Sequence, residues 1–205
     1  MYKRQASGNT SVRSSIDGVI RNNPLIISKK TKTLIADDEE GYIIKGFQAG
    51  TEVEFEVTAD CGTYTSTLWG YSGLTIADLG KGDVVHYETN SQGQINYILP
   101  LFVASKKESA KAEVLNSGTI YDYDALAVMH TLHGQVIRSS SSTITVNPQA
   151  DLASAYNRTY SATTANVILV EDGEVKKISI SDVRKGDEVF IRDYHHTLYD
   201  VVVYR

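Results

Sequence analysis

The sequence predicts an all-β protein built from two tandem, related small β-barrel or sandwich modules. Short segments in which apolar and polar residues alternate occur along most of the chain, and one ten-residue pattern occurs twice, 104 residues apart. Hydrophobic residues make up 41% of the 205 residues, which is enough for a packed core. A helical pattern is found only over Asp151–Tyr156, and it is short. We therefore expect sheets joined by turns.

The strand predictions rest on side-chain alternation and on turn residues between strands. Thr51–Thr58 places Val53, Phe55 and Val57 on one face and three glutamates on the other. Glycine in a short polar loop, as at Gly93 and Gly173, is typical of a β-hairpin. Three hairpins follow, and their strand pairs are Val84–Glu88 with Gln94–Leu101, Asn166–Val170 with Val175–Ile180, and Glu188–Arg192 with Leu198–Tyr204.

The repeated pattern defines the modules. Ile76–Val85 aligns without gaps on Ile180–Val189, and the same offset carries Asn96–Leu99 onto Asp200–Val203. Upstream, the sequence Gly-Val-Ile-Arg at 18–21 is similar to residues 134–138, and each is followed by a second β segment, at 25–28 and 143–146. This predicts module 1 at 6–105 and module 2 at 106–205, with a boundary near the lysine-rich stretch 106–111. The distance in sequence from this upstream segment to the lysine of the repeated pattern is longer in the first module than in the second, which predicts an insertion in module 1.

Each residue type in the repeated pattern has a structural role. The first aspartate is expected to accept backbone N–H bonds from the residues that follow it, and the glycine to adopt a restricted backbone conformation. The second aspartate can bond turn amides where the next strand begins. Carboxylates used in this way stabilise a fold and are not expected to be catalytic. The turn residues are Asp78, Lys81, Gly82 and Asp83 in module 1, and Asp182, Lys185, Gly186 and Asp187 in module 2.

The two closing segments, Asp78–Ile98 and Ser181–Tyr204, resemble repeats in the C-terminal regions of Gram-positive surface-layer and S-layer-homology-domain proteins. The resemblance implies an extracellular, cell-surface location and a structural or spacer role. The implied partners are other domains of the same longer chain, cell-wall polymer or neighbouring surface-layer subunits. No enzyme site or cofactor comes with the resemblance, and the wall-anchoring S-layer-homology motifs are absent from this sequence.

The segment Met1–Gln5 resembles the translation of a transposase adapter end used in sequencing libraries, read from a GTG start. That resemblance implies that residues 1–5 are an artefact and that the natural polypeptide enters at about Ala6. The chain is then expected to be a fragment of a longer metagenomic reading frame, in which a missing signal peptide carries no information about secretion.

Composition disfavours several classes of function. The net charge of −5 lacks the basic excess that phosphate binding requires, so nucleic acid is not an expected partner. No apolar run approaches the roughly 20 residues of a membrane-spanning helix. The single cysteine, Cys61, excludes an intrachain disulfide and a cysteine-based zinc site.

Histidines and acidic clusters are the candidate metal ligands. His130 and His133 fall on opposite faces of a strand, and the pair 195–196 lies in a hairpin loop, so a zinc-type site is not predicted. Calcium is an alternative for the acidic stretches 37–40 and 121–124, although neither matches a calcium-loop spacing. We predict no metal and no cofactor.

Two other functions stay open. Trp69 with Tyr64 and Tyr71, among glycines, could form an aromatic platform for sugar rings; the alternative is that Trp69 lies in the core. That platform would make the chain a carbohydrate-binding module. A phage or virion structural protein is the other alternative, since β modules of this size also occur there. An enzyme is not predicted, because the sequence contains no Gly-x-Ser-x-Gly elbow or phosphate-binding loop.

Overall fold

The computed structural model describes residues 23–35, 39–63, 73–106, 130–148, 157–194 and 196–205. These residues form twelve β-strands and three 3-10 turns, arranged in two separate sheets. The all-β prediction and the division into two related sheets are confirmed. The segments at 1–22, 107–129 and 149–156 lie outside the described residues, as do the predictions made for them: the adapter segment, the upstream motif, nearly all of the boundary stretch and the short helix.

The first sheet is a closed five-stranded barrel within module 1, here residues 23–106. The strand order around the barrel is β1-β2-β3-β5-β4, with β4 returning to β1. All pairs are antiparallel except β3 with β5. The strands are β1 (Leu25–Leu34), β2 (Glu40–Gln48), β3 (Thr51–Thr63), β4 (Val84–Thr89) and β5 (Ile95–Phe102).

The second sheet has seven strands and forms module 2, here residues 130–205. Its order is β10-β9-β12-β11-β6-β7-β8, and β8 also pairs with β12, so that part of this sheet returns on itself. The strands are β6 (His130–Ser139), β7 (Thr143–Asn147), β8 (Arg158–Ser161), β9 (Asn166–Glu171), β10 (Glu174–Ile178), β11 (Glu188–Tyr194) and β12 (Thr197–Tyr204).

The three predicted hairpins are present, and glycine lies in the turns of two of them, β4–β5 and β9–β10. Gly93 has φ +81° between β4 and β5, and Asp172-Gly173 has φ +50° and +75° between β9 and β10. Two consecutive positive φ values are typical of the tight turn that matches strand twist. A fourth hairpin, β2–β3, turns at Ala49-Gly50 with φ +49° and +73°, and the sequence analysis did not single it out.

The structure changes the upstream alignment of the two modules. Ile27 donates its N–H to the carbonyl of Asp83, at 2.9 Å, and Val136 donates in the same way to Asp187, at 2.8 Å. Both residues are followed by a β-bulge in their strand. Ile27 and Val136 are therefore equivalent.

Residues 25–28 thus match 134–137, whereas the sequence analysis placed them on 143–146. The physical reason is that strand position is decided by pairing with β4 or β11, and a short Gly-x-Val pattern contains too little information to locate it. The insertion in module 1 is correspondingly shorter than the alignment implied.

The offset of 104 also fails by one residue in the last strand of each module. Tyr87 pairs with Ile98 in module 1, and Ile191, the residue 104 positions after Tyr87, pairs with Val201. Ile98 is therefore equivalent to Val201, not to Val202. A shift of one residue moves every side chain to the opposite face of a strand, so the gapless alignment assigned the wrong face to β12.

The modules share a core. Ile168, Phe190 and Val202 of module 2 belong to the buried cluster that fills module 1, while a second cluster lies within module 2. Strand β12 is buried on both faces: Val201 and Val203 pack into its own module and Val202 into the other. The two modules therefore pack against each other through one face of the second sheet.

Candidate functional site

The repeated turn begins with a reciprocal cap. In module 1 the side chain of Asp78 accepts the backbone N–H of Thr75 at 2.9 Å, and Asp182 accepts that of Ser179 at the same distance. Each aspartate therefore bonds back to the residue that precedes its 3-10 turn, whereas the sequence analysis expected bonds to residues that follow. The reason is the capping box: a carboxylate three positions after the cap residue can reach its free N–H group.

The glycine and the second aspartate complete the turn. Gly82 and Gly186 have φ +85° and +93°, a region that L side chains rarely adopt. Asp83 accepts the N–H of Gly80 at 2.7 Å, and Asp187 accepts that of Arg184 at 2.7 Å. These carboxylates hold the backbone.

We expect Gly186→Ala and Gly82→Ala each to lower the free energy of unfolding by about 1–3 kcal/mol, because the turn would hold a residue with a Cβ at positive φ. A Cβ at Gly186 would meet no atom within 4 Å, whereas one at Gly82 would lie 3.1 Å from Val170. Gly82→Ala should therefore be the more damaging change. Urea unfolding followed by circular dichroism measures both.

Gly80→Ala is the matched control, because Gly80 has open space around it and no positive φ. Its unfolding midpoint should stay close to that of the parent chain. Equal midpoints for Gly186→Ala and Gly80→Ala would contradict backbone strain at the turn.

The second aspartates differ between the modules. Asp83 Oδ1 accepts the backbone N–H of Ala104, and burial raises the pKa of Asp83 to about 6. Asp187 Oδ1 accepts instead from Arg205 Nε at 2.9 Å. Burial acts to raise the pKa of Asp187, but the hydrogen bonds from Arg205 and from the Arg184 N–H, together with the charges of both arginines, outweigh it, and the pKa lies below its ordinary value.

One face of module 2, called here the contact face, packs on module 1. The face consists of side chains of β6, β11, β12, β9 and β10 on the side of the sheet nearer module 1. The cross-strand register arranges these side chains in three rows. The first row is polar, and the second and third are mainly apolar. The rows are Thr131, Arg192, Asp200 and Asn166; then His133, Phe190, Val202 and Ile168; then Glu188, Tyr204, Val170 and Val175.

A buried ion pair dominates the polar row. Arg192 Nε lies 2.7 Å and its Nη2 2.6 Å from Asp200 Oδ2, and the two side chains are only 4% and 3% exposed. The same guanidinium donates to Asn23 Oδ1 of module 1 at 2.7 Å, and Asn166 Nδ2 lies 3.3 Å from Asp200 Oδ1. Such a pair is tolerated in the interior because each charge has several partners.

Phe102 of module 1 occupies the centre of the apolar rows. Its ring centroid lies 5.1 Å from that of Phe190, 5.2 Å from that of Tyr204 and 4.9 Å from that of His133. The Tyr204 hydroxyl donates to the carbonyl of Gly82 at 2.7 Å. The repeated turn of module 1 is therefore part of the contact between the modules.

Two lysines join the edges of this contact. Lys81, a residue of the repeated turn, donates to the carbonyl of Gly173 at 2.6 Å, and Lys177 donates to that of Gly50 at 3.0 Å. Gly50 has φ +73°, and a Cβ there would lie 2.4 Å from Asn166 Oδ1, so a side chain at this point of the β2–β3 turn would be strained and would displace Asn166. Each module thus places a hairpin turn against the other.

His86 of β4 lies at the same contact. It is 7% exposed, its Nδ1 has no hydrogen-bond partner among the described residues, and burial together with the Arg192 charge lowers its pKa to about 3. The folded protein therefore holds His86 neutral, while the unfolded chain protonates it below about pH 6.5.

We expect the contribution of His86 to the free energy of unfolding to fall as the pH drops from about 6.5 towards 3, because protons bind the unfolded chain more readily at this residue. Asp83 acts in the opposite direction between about pH 6 and 3.8, since its folded pKa is raised. The variant His86→Leu isolates the histidine contribution: its unfolding free energy, measured by urea titration at several pH values, should decline less than that of the parent chain. If the unfolding free energies of His86→Leu and of the parent chain changed equally with pH, a neutral, buried His86 would be contradicted.

The contact face could have been detected in the sequence. The segment Val201–Val203 is a continuous apolar run with no alternation, which is typical of a strand buried on both sides. The predicted role of this strand was only that of one arm of the last hairpin. Arg192, Asp200 and His86 were not singled out, because charged residues in short strands are usually exposed.

The predicted metal candidates are only partly described. His133 Nε2 lies 2.5 Å from Glu188 Oε1, His196 packs its ring on Tyr160 at 5.8 Å, and the side chains of His130 and His195 lie outside the described residues. Within the described parts of the chain, no three His, Cys, Asp or Glu side chains gather where they could hold a metal ion. Residues 37, 38 and 121–124 of the acidic stretches are not described.

The sugar-binding candidates Trp69, Tyr64 and Tyr71 also lie outside the described residues. Cys61 is half-buried, and burial raises the pKa of its thiol to about 12. A cavity of about 320 Å³ opens between the modules, with Phe47, Val53 and Val175 as apolar lining and the ion pair Lys45–Glu54 among its lining residues.

Comparison with known protein families and with curated protein sequences found no match to either. In the described ranges, no helix is long and apolar enough to cross a membrane.

Proposed function

We propose that this chain is a non-catalytic structural part of a secreted bacterial cell-surface protein, in which the two modules act together as one rigid spacer. The observation that carries the proposal is the shared core, in which Ile168, Phe190 and Val202 of module 2 pack into module 1. An apolar contact of this kind resists relative motion of two domains, whereas small polar contacts allow it. A spacer with a fixed angle between its modules holds neighbouring parts of a surface protein at a set distance.

The surface location rests on the resemblance of the closing segments to repeats of Gram-positive surface-layer proteins. The turn residues of that resemblance act on the backbone of the fold: Asp78, Asp83, Asp182 and Asp187 all accept turn N–H groups. This use fits a structural role. The proposed partners are other domains of the same chain and the polymer or protein lattice of the cell surface.

Antibody labelling of the source bacterium tests the location. An antiserum raised against the purified chain is expected to label intact cells, and brief trypsin treatment of those cells should remove the labelled protein while a cytosolic marker stays intact. Labelling that appears only after cells are made permeable would refute the surface assignment and favour the virion alternative or a cytosolic one.

A further inference from the structure

We propose that the chain carries tension along β12 and that its two modules yield in a fixed order, module 1 at a lower pulling force than module 2. This inference deepens the proposed spacer function and rests on it. Its test uses purified protein, so its failure would leave the surface location untouched, and failure of the labelling experiment would leave the mechanical result standing.

In module 2 the first and last strands are held at opposite ends of β11. His130 at the start of β6 lies opposite Asp193, whereas Tyr204 at the end of β12 lies opposite Glu188. Tension between these points runs along the strands. It therefore loads the hydrogen bonds of β11 with both neighbours at once, in shear, and many bonds must break together.

Strand β12 has further attachments that share this load. It pairs in parallel with β9 from Asp200 to Tyr204, and the N–H of Arg205 donates to the carbonyl of Val170 at 3.0 Å. The Arg205 guanidinium donates to Asp187 and to the carbonyl of Asp182. The strand through which force leaves module 2 is thus bonded on both edges and packed on both faces.

Module 1 has a much shorter clamp between its first and last strands. Among the described residues, Leu25 and Ile26 of β1 pair with β4, whereas six residues of β6, His130–Gln135, pair with β11. Ile27 and Val136 extend the two ladders equally, because each exchanges two backbone hydrogen bonds with the turn that precedes β4 or β11. Phe102 at the end of β5 lies opposite Val84, the residue that also faces Ile26. Tension across module 1 therefore first reaches a ladder of two residue pairs and the two hydrogen bonds of Ile27.

The second path along which force can pass through the barrel of module 1 is also weak. It runs from β1 through β2 and β3 to β5, and the β3–β5 ladder is interrupted between Val57 and Gly62. Among the described residues, each route through module 1 therefore contains one ladder shorter than those along β11: β1–β4 in the first route and β3–β5 in the second. The order of yielding follows from this difference in how many bonds are loaded together.

Single-molecule pulling with handles before residue 1 and after Arg205 tests the order. Two variants each carry a flexible insertion of about 12 Gly/Ser residues in an exposed turn, one between Gln92 and Gly93 of module 1 and one between Ser141 and Ser142 of module 2. An insertion lengthens the released contour of its own module by about 40 Å. We expect the contour length released in the lower-force event to increase only in the module 1 variant. The contour length released in the higher-force event should increase only in the module 2 variant. The opposite assignment, or a single event that releases both modules, would overturn the proposal.

A change of pulling point separates shear geometry from overall stability. In a Cys61→Ser background, a handle attached through Ser141→Cys pulls module 2 between the β6–β7 turn and Arg205. Both points then lie at the same end of β11, so β12 peels away bond by bond. Module 2 should open at a clearly lower force than with terminal handles, although its unfolding free energy is the same. Equal forces in the two geometries would refute a clamp along β12.

Discussion

Replacing Arg192 by methionine is expected to lower the free energy of unfolding by about 3–5 kcal/mol, because it leaves the Asp200 carboxylate buried without its main partner. The two side chains are almost fully enclosed, and Arg192 also donates to Asn23 of the other module. The change therefore removes charge compensation within module 2 and a bond across the contact. Urea unfolding at neutral pH measures the loss.

The double variant Arg192→Met/Asp200→Leu is the decisive control. With both charges removed, no unpaired charge stays buried at the contact, so the double variant should be considerably more stable than Arg192→Met alone. Lys45→Met, which breaks an exposed pair with Glu54, should leave the urea midpoint close to that of the parent chain, because solvent screens such a pair. A loss at Arg192 as small as that at Lys45 would contradict burial of the ion pair.

Phe102→Ala is expected to cost about 3–5 kcal/mol, the usual range for removing a buried phenylalanine ring. The ring contacts Phe190, Tyr204 and His133 of the other module, so most of the loss falls on the contact face. The parent chain should unfold in one thermal transition, because the modules share a core. The variant should show two transitions in calorimetry, since the contact then stabilises each module less and their unfolding is no longer coupled.

Tyr199→Ala is the control for this prediction. Tyr199 lies on β12 close to the same surface, but it is 43% exposed and its ring centroid lies 5.7 Å from the Arg192 guanidinium carbon, so its removal should leave the single transition in place. A single, merely lowered transition in Phe102→Ala would mean that the modules do not depend on this contact for their joint unfolding.

Much of the fold could be predicted from the sequence because it depends on local rules. Alternation in Thr51–Thr58, the Asp-Gly turn at 172–173 and the repeated Lys-Gly-Asp pattern each act over a few residues, and each appears in the structure at the expected place. The need for glycine at 82 and 186 is of the same kind, since it is set by the backbone of one turn.

The strand register and the contact between the modules could not be predicted in the same way. The equivalence of Ile27 with Val136, and of Ile98 with Val201, is set by pairing between strands within each module, where a shift of one residue exchanges the two faces. The charged side chains of Arg192 and Asp200 gave no local sign of burial, because only the approach of a second module encloses them.

The all-β class, the two modules and the turns that close them can be predicted from the amino-acid sequence alone, since they depend on side-chain period and backbone conformation. The shared core, the burial of both faces of β12 and the neutral state of His86 beside Arg192 depend instead on how the two modules pack. Burial between two modules is a property of surfaces that meet in space, and residues as far apart in sequence as Asn23 and Arg192 contribute to it.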